Sequence, residues 1–216
     1  MRHRLLVLGA SGGIGDGLVR CDGWRPSSEW EWVGLSSAEC DVRDPKAVLV
    51  RLEETQPDAV LYLSAVNRDG FLHKMDPAAI DDVIGVNVVG LSNALIPSMA
   101  LMRERGSGTF IYASSVLARS VVAGTGLYAA SKAFGERLVR QAAVENAARG
   151  VSAVSVRMGY FPVGLWERVP TAVRDSVLDA IPLGRTGTID ELATVIRLAL
   201  SNQYLTGSVI DLAGGL

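Results

Sequence analysis

The sequence predicts an α/β fold: one domain over residues 1–216, built as a doubly wound parallel sheet with helices on both faces. Three observations predict it. Short continuous apolar runs alternate with longer helical stretches along the whole chain, the pattern of successive βαβ units. A glycine turn follows the first apolar run and opens into a helix. The chain has 216 residues, of which 49% are hydrophobic, enough to bury one substantial core.

Leu5-Leu-Val-Leu8 is the first strand, apolar throughout because both faces are covered. Gly9-Ala-Ser-Gly-Gly-Ile-Gly15 follows, then a helix from about residue 14 to 20. Strand, glycine turn and helix N-terminus together make a phosphate cradle, in which backbone N–H groups and the helix dipole face an anion. Gly9, Gly13 and Gly15 carry the G-x-x-x-G-x-G spacing. Trp30 to Leu35 is the second strand. In a dinucleotide fold its end meets the adenosine ribose, where an acid selects a free 2′-hydroxyl and a base a 2′-phosphate. Ser36-Ser37 stand there with neither, which leans the choice to NADP over NAD; a plain turn is the alternative. Cys40-Asp-Val-Arg-Asp-Pro45 leaves little room for a crossover helix, so Asp41 is expected to end a very short strand near the adenine, with a simple turn as the alternative. Asp44 is expected to cap the next helix, to about residue 54.

Residues 57–66 form the next buried strand, followed by a polar loop through Asp76. Asp76-Pro77 starts a long helical run towards Met102. An Asn inside such an apolar run must satisfy its amide: Asn87 either holds a kink and an ordered water or is a buried structural Asn. Residues 108–113 form a strand with Ser114-Ser115 at its end, where ligand sites of open α/β sheets gather. A strand over 151–157, a short helical flap over 164–180, a helix to about residue 200 and a last strand over 208–212 complete the alternation.

Tyr128-Ala-Ala-Ser-Lys132 lies on the helix entered after Gly124. Residues four apart share a helix face, so phenol and ammonium project to one side. A cation beside a phenol favours the phenolate; bringing its pKa from about 10 to about 7 takes roughly 4 kcal/mol of differential stabilisation. The step of thirteen residues from Ser115 to Tyr128 lets a loop bring hydroxyl and phenol together.

Composition excludes several classes. The net charge is −2 with interspersed charges, no footprint for nucleic acid or an anionic membrane. Cys21 and Cys40 are too few for a disulfide framework, no third ligand points to a metal, and a cytoplasmic setting is expected. The basic start Met1–Arg4 and its short apolar run lead directly into the glycine turn rather than forming a targeting signal. No uninterrupted stretch of eighteen apolar residues is present, so no membrane span is expected. The high apolar content predicts surface buried between subunits.

With GASGGIG at 9–15, NVVG at 87–90, Ser115, YAASK at 128–132, IPLGR at 181–185, LTG at 205–207 and AGGL at 213–216, nearly the whole chain resembles the short-chain dehydrogenase/reductase family. The 3-oxoacyl-carrier-protein reductase and secondary-alcohol dehydrogenase branches are the most similar. The resemblance implies a Rossmann-like fold and hydride transfer between a nicotinamide cofactor, NADP or NAD, and a ketone or secondary alcohol. It implies Tyr128 as acid/base and Lys132 as the group that lowers its pKa and binds the nicotinamide ribose. Ser115 would polarise the carbonyl, and Asn87 would position a water linked to Lys132. Gly9, Ser11, Gly13, Ile14 and Gly15 would line the phosphates and ribose, Ser36 and Ser37 the ribose 2′ position, and Asp41 and Val42 the adenine. Ala65, Asn87 and Gly159 would lie along the rest of the cofactor. A homotetramer is implied, with a dimer next, through helices near 88–104 and 126–148.

The chain departs from the family pattern at Leu8, at Leu63-Ser-Ala-Val66, at Met158 and at Val163, and lacks a helix between its second and third strands. That shortening is similar to the dTDP-4-dehydrorhamnose reductase branch. A nucleotide-sugar reductase and a catalytically silent dinucleotide sensor or scaffold are the alternative readings.

Overall fold

The structure, a computed structural model, describes residues 2–21 and 29–216; Met1 lies outside them. Among the described residues six strands form one sheet in the order β2-β1-β3-β4-β5-β6, every neighbouring pair parallel. They are β1 His3–Leu8, β2 Trp30–Leu35, β3 Ala59–Tyr62, β4 Gly108–Ser115, β5 Val151–Met158 and β6 Val209–Leu212. The helices are α1 Gly13–Arg20, α2 Pro45–Thr55, α3 Pro77–Val83, α4 Leu91–Arg105, α5 Gly126–Asn146, α6 Thr171–Ala180 and α7 Ile189–Ser201.

Alternation along each strand divides the core in two. Leu6, Leu8, Val60, Tyr62 and Phe110 face one way, against Leu52 of α2, Leu95 of α4 and Val139 of α5. Leu5, Val7, Leu61, Ile111 and Val154 face the other, against Leu18 of α1 and Leu192 and Ile196 of α7. After β1 the chain adds β2 on one side and then crosses to place β3 on the other. The sheet reverses its winding there, and such a switch point, beyond the carboxyl ends of β1 and β3, is where open α/β sheets take their ligands.

Three features differ from the sequence expectation. Asp41 ends no strand: Glu39 N and Cys40 N both donate to Ser36 O, at 3.1 and 2.9 Å, so the chain turns as soon as β2 ends and β2 is left as the sheet edge. The strand expected over 57–66 is regular only over Ala59–Tyr62. The long run after Asp76 is interrupted between α3 and α4 by a π-helical turn, Ile84–Gly90, centred on Asn87.

That continuous run, Pro77–Arg105, is long and apolar enough to cross a membrane, with a mean hydropathy of 1.5 in an 18-residue window that is 44% buried within the fold. Counting only uninterrupted apolar residues misses it. Its buried residues Leu91, Ala94, Leu95 and Met102 belong to the core described above. The helix ends follow local chemistry. Asp44 and Asp76 accept from Lys46 N and Ala78 N, each with Pro next in line, and Thr188 and Glu191 form a capping box on α7.

Candidate active site

The turn after β1 stands at the winding switch. Gly9 has φ +90°, open to glycine at little cost, and a Cβ there would lie 2.7 Å from Ser64 N. A Cβ on Gly13 would lie 2.3 Å from Gly164 N, and one on Gly15 2.4 Å from Ala10 O. The turn is therefore closed against the end of β3 and the start of the flap by backbone alone. The N-cap of α1 is Gly12, and no side chain caps that helix, which leaves its first-turn N–H groups for another acceptor. Ser11 is exposed at this turn and Ile14 half-buried. These residues fit a dinucleotide phosphate: a side-chain-free turn, an uncapped helix start and the switch point coincide.

Asn87, Ser115, Tyr128 and Lys132 converge beside it. Asn87 is 1% exposed, and its Oδ1 accepts from Val66 N at 2.8 Å. Its Nδ2 donates to Val66 O and to Ser131 Oγ, both at 2.9 Å. Ser131 Oγ in turn donates to Tyr128 O at 2.7 Å, so Asn87 ties the loop after β3 to the stretch of α5 between Tyr128 and Lys132. Tyr62 OH donates to Val86 O at 2.8 Å and takes up a carbonyl of the π-helical turn. Sequence reading finds the interrupted helix at Asn87; the structure adds that both amide hydrogens are already engaged by protein.

Ser115 accepts from Leu117 N at 3.2 Å, and its hydroxyl hydrogen-bonds the Tyr128 phenol. Lys132 is 3% exposed; its Nζ donates to Ala113 O at 2.8 Å and lies 5.1 Å from the centre of the Tyr112 ring and 5.6 Å from that of Tyr128. The expected direction of the Tyr128 shift is reversed. Burial pushes the phenol well above its ordinary value, the Ser115 hydrogen bond opposes this, and Asp69 adds to the rise. The cause is shared: burial also brings Lys132 down to about 7, against the pull of Glu136.

Glu136, one turn beyond Lys132 on α5, belongs to a network that sequence reading missed. Ser114 Oγ donates to Glu136 Oε1 at 2.6 Å, and Arg157 grips both carboxylate oxygens at 2.9 and 2.6 Å. Arg157 also reaches Asp211 Oδ1 at 3.0 Å, which joins β4, α5, β5 and β6 directly behind the lysine. The i, i+4 step from Lys132 to Glu136 is the one signal the sequence carried.

On the adenosine side, Asp41 is held by Arg43, whose Nη2 donates at 2.7 Å, and the hydrogen bonds from Arg43 keep that carboxyl below its usual range. Val42 is buried, with its carbonyl accepting from Asn93 Nδ2 at 3.0 Å. Ser36 donates to Glu39, an acid that sequence reading did not single out, and Ser37 is exposed. Ala65 lies in the stretch between β3 and Val66. Gly159 donates to Leu212 O at 2.9 Å beyond the end of β5. In the flap the Trp166 ring meets Tyr160 edge-on at 5.5 Å, with Arg174 5.9 Å above Trp166.

A family model described as enoyl-(acyl carrier protein) reductase matches residues 31–216. Nodulation protein G of Azospirillum brasilense is 31% identical to the chain, covering 98% of it and 96% of its own length. Acetoacetyl-CoA reductase of Rhizobium meliloti (strain 1021) is 32% identical over 73% of the chain and 67% of its own length. A solved small-chain dehydrogenase in complex with NADPH superposes with a TM-score of 0.88 at 23% identity, covering 100% of this chain and 98% of that one, a likeness of fold.

Proposed function

The chain belongs to the short-chain dehydrogenase/reductase family of oxidoreductases, and from that premise we propose that it interconverts a ketone and a secondary alcohol, with Tyr128 as the acid/base group. The observation that carries this reading is the convergence of Asn87, Ser115, Tyr128 and Lys132 beside a side-chain-free phosphate turn. A bound nicotinamide dinucleotide supplies the hydride donor or acceptor. NADP and NAD both fit the turn; a protein with the same fold is solved with NADPH.

The chain's own residues handle the proton and the developing charge. The raised Tyr128 phenol stays protonated at neutral pH, the state needed to give a proton to a carbonyl oxygen during reduction. The Ser115 hydroxyl, hydrogen-bonded to that phenol, polarises the same oxygen and stabilises alkoxide character as it builds. Lys132, anchored on Ala113 O, is the nearby cation that stabilises the phenolate left behind. With a pKa of about 7 it is able to pass a proton on. Asn87 holds the Tyr128–Lys132 turn in place through Ser131 and keeps one Oδ1 lone pair for a water. Gly9, Ser11, Gly13, Ile14 and Gly15 bind the phosphates, while Ser36, Ser37, Asp41, Val42, Ala65 and Gly159 line the remainder of the cofactor.

The exposed apolar side chains Val89 and Ile96 on the α3–α4 run, with Phe134 and Val144 on α5, support a homotetramer or dimer. Light scattering during size exclusion tests that, and a stable monomer rules it out. A sequence with only two cysteines, Cys21 and Cys40, suits a reducing, cytoplasmic setting. The activity is tested by following oxidation of NADPH and NADH with acetoacetyl-CoA and small ketones. Wild type turns over, and Tyr128→Phe lowers the rate by roughly 100- to 10,000-fold, the span of a lost general acid. Dinucleotide binding without turnover on any carbonyl would instead mark a sensor.

A further inference from the structure

The end of β2 carries an anion of the chain's own making. Gly9 N and Ala10 N both donate to Leu35 O at 3.0 Å, so Ser36 sits one residue beyond a carbonyl shared with the phosphate turn. The turn that follows folds Glu39 back, and its Oε2 accepts from Ser36 N at 2.8 Å and from Ser36 Oγ at 2.7 Å. One carboxylate oxygen thus takes two donors that the strand end would offer a phosphate. The hydrogen bonds from Ser36 hold this carboxyl below the usual range, so it is charged at neutral pH.

The neighbouring cations are engaged too. Arg51 donates to Glu39 O at 3.3 and 3.2 Å and to Glu54 at 2.9 Å. Arg43 is paired with Asp41 at 2.7 Å. A 2′-phosphate brings nearly two negative charges and needs free donors or cations. A 2′-hydroxyl is a donor, and a carboxylate is the acceptor that suits it.

We propose that Glu39 sets the selectivity for the ribose 2′ position: held on Ser36, its carboxylate favours the free 2′-hydroxyl of NAD and opposes the 2′-phosphate of NADP. To take NADP the chain must first turn Glu39 off Ser36; to take NAD it uses the turn as it stands. Ser36 and Ser37 alone point the opposite way, because the acid arrives from three residues downstream through the tight turn. The inference rests on the dinucleotide reading above and deepens it.

The test is calorimetric titration of wild type, Glu39→Gln and Glu39→Ala with NAD⁺, NADP⁺, 5′-AMP and 2′,5′-ADP, with circular dichroism as the check on folding. Both variants raise the affinity ratio of NADP⁺ over NAD⁺ by about tenfold or more, as removal of a like charge at contact range requires. The 2′,5′-ADP to 5′-AMP ratio moves with it, which assigns the effect to the 2′ group. Dinucleotide binding with ratios within about twofold of wild type in both folded variants overturns the inference and leaves the oxidoreductase reading standing. Failure of wild type to bind either dinucleotide overturns both.

Discussion

Replacing Asn87 with Ala tests whether the amide is the tie between the phosphate-side loop and the Tyr128–Lys132 helix. Three hydrogen bonds are lost at once: Val66 N at 2.8 Å, and Val66 O and Ser131 Oγ at 2.9 Å. A net bond contributes about 1 kcal/mol, and a donor left unpaired in a buried site costs about 1–3 kcal/mol. Alanine's better helix propensity returns roughly 0.6 kcal/mol. The expected net loss is therefore about 3 kcal/mol, or a Tm drop of roughly 6–12 °C for a chain of this size. The assay is urea unfolding of wild type, Asn87→Ala, Ser131→Ala and the double variant. Ser131→Ala alone should cost about 1–2 kcal/mol, because it also removes the bond to Tyr128 O. The double-mutant cycle should give a coupling near 1 kcal/mol. A loss below about 1 kcal/mol in Asn87→Ala, with zero coupling, would refute the tie and return Asn87 to an ordinary buried helix residue.

Burial holds Lys132 near 7 in the folded chain, against about 10.4 when unfolded, so between those values the unfolded state binds the extra proton and stability rises with pH. Wild type should gain on Lys132→Met by up to roughly 1.4 kcal/mol per pH unit from pH 7 to about 10; unfolding at stepped pH with a flat difference would contradict the lowered value. Glu136 and Arg157, with side chains 12% and 14% exposed, form a largely dry pair, so Glu136→Gln should cost about 2–4 kcal/mol in thermal unfolding and push Lys132 further down. Thr188→Ala removes half of the α7 capping box and should cost about 1 kcal/mol, with an unchanged value in urea unfolding counting against the box. Gly13→Ala forces a Cβ to 2.3 Å from Gly164 N, so backbone must move; the expected outcome is weakened dinucleotide binding in the same titrations, and unaltered affinity would show that the turn has slack.

Much of this protein is legible without coordinates, for reasons that are local. Short runs with little polarity such as 5–8 and 151–156 declare strands covered on both faces, and Asp44-Pro45 and Asp76-Pro77 declare helix starts through one side chain and one restricted φ. The i, i+4 step puts Tyr128 and Lys132 on one face in any helix. What those residues do electrostatically is not local. The sign of the Tyr128 shift follows from how deeply the phenol and the ammonium are both buried, and burial is decided by β4, the π-helical turn and the loop after β3 together. Glu39 shows the same division. Its sequence position says only that an acid lies three residues beyond Ser36; that its carboxylate lands on Ser36 N and Oγ depends on a turn taken where a strand was expected. Local periodicity determined the elements and their order, while the charges of the site were decided by tertiary burial and by hydrogen bonds between groups brought together from separate elements.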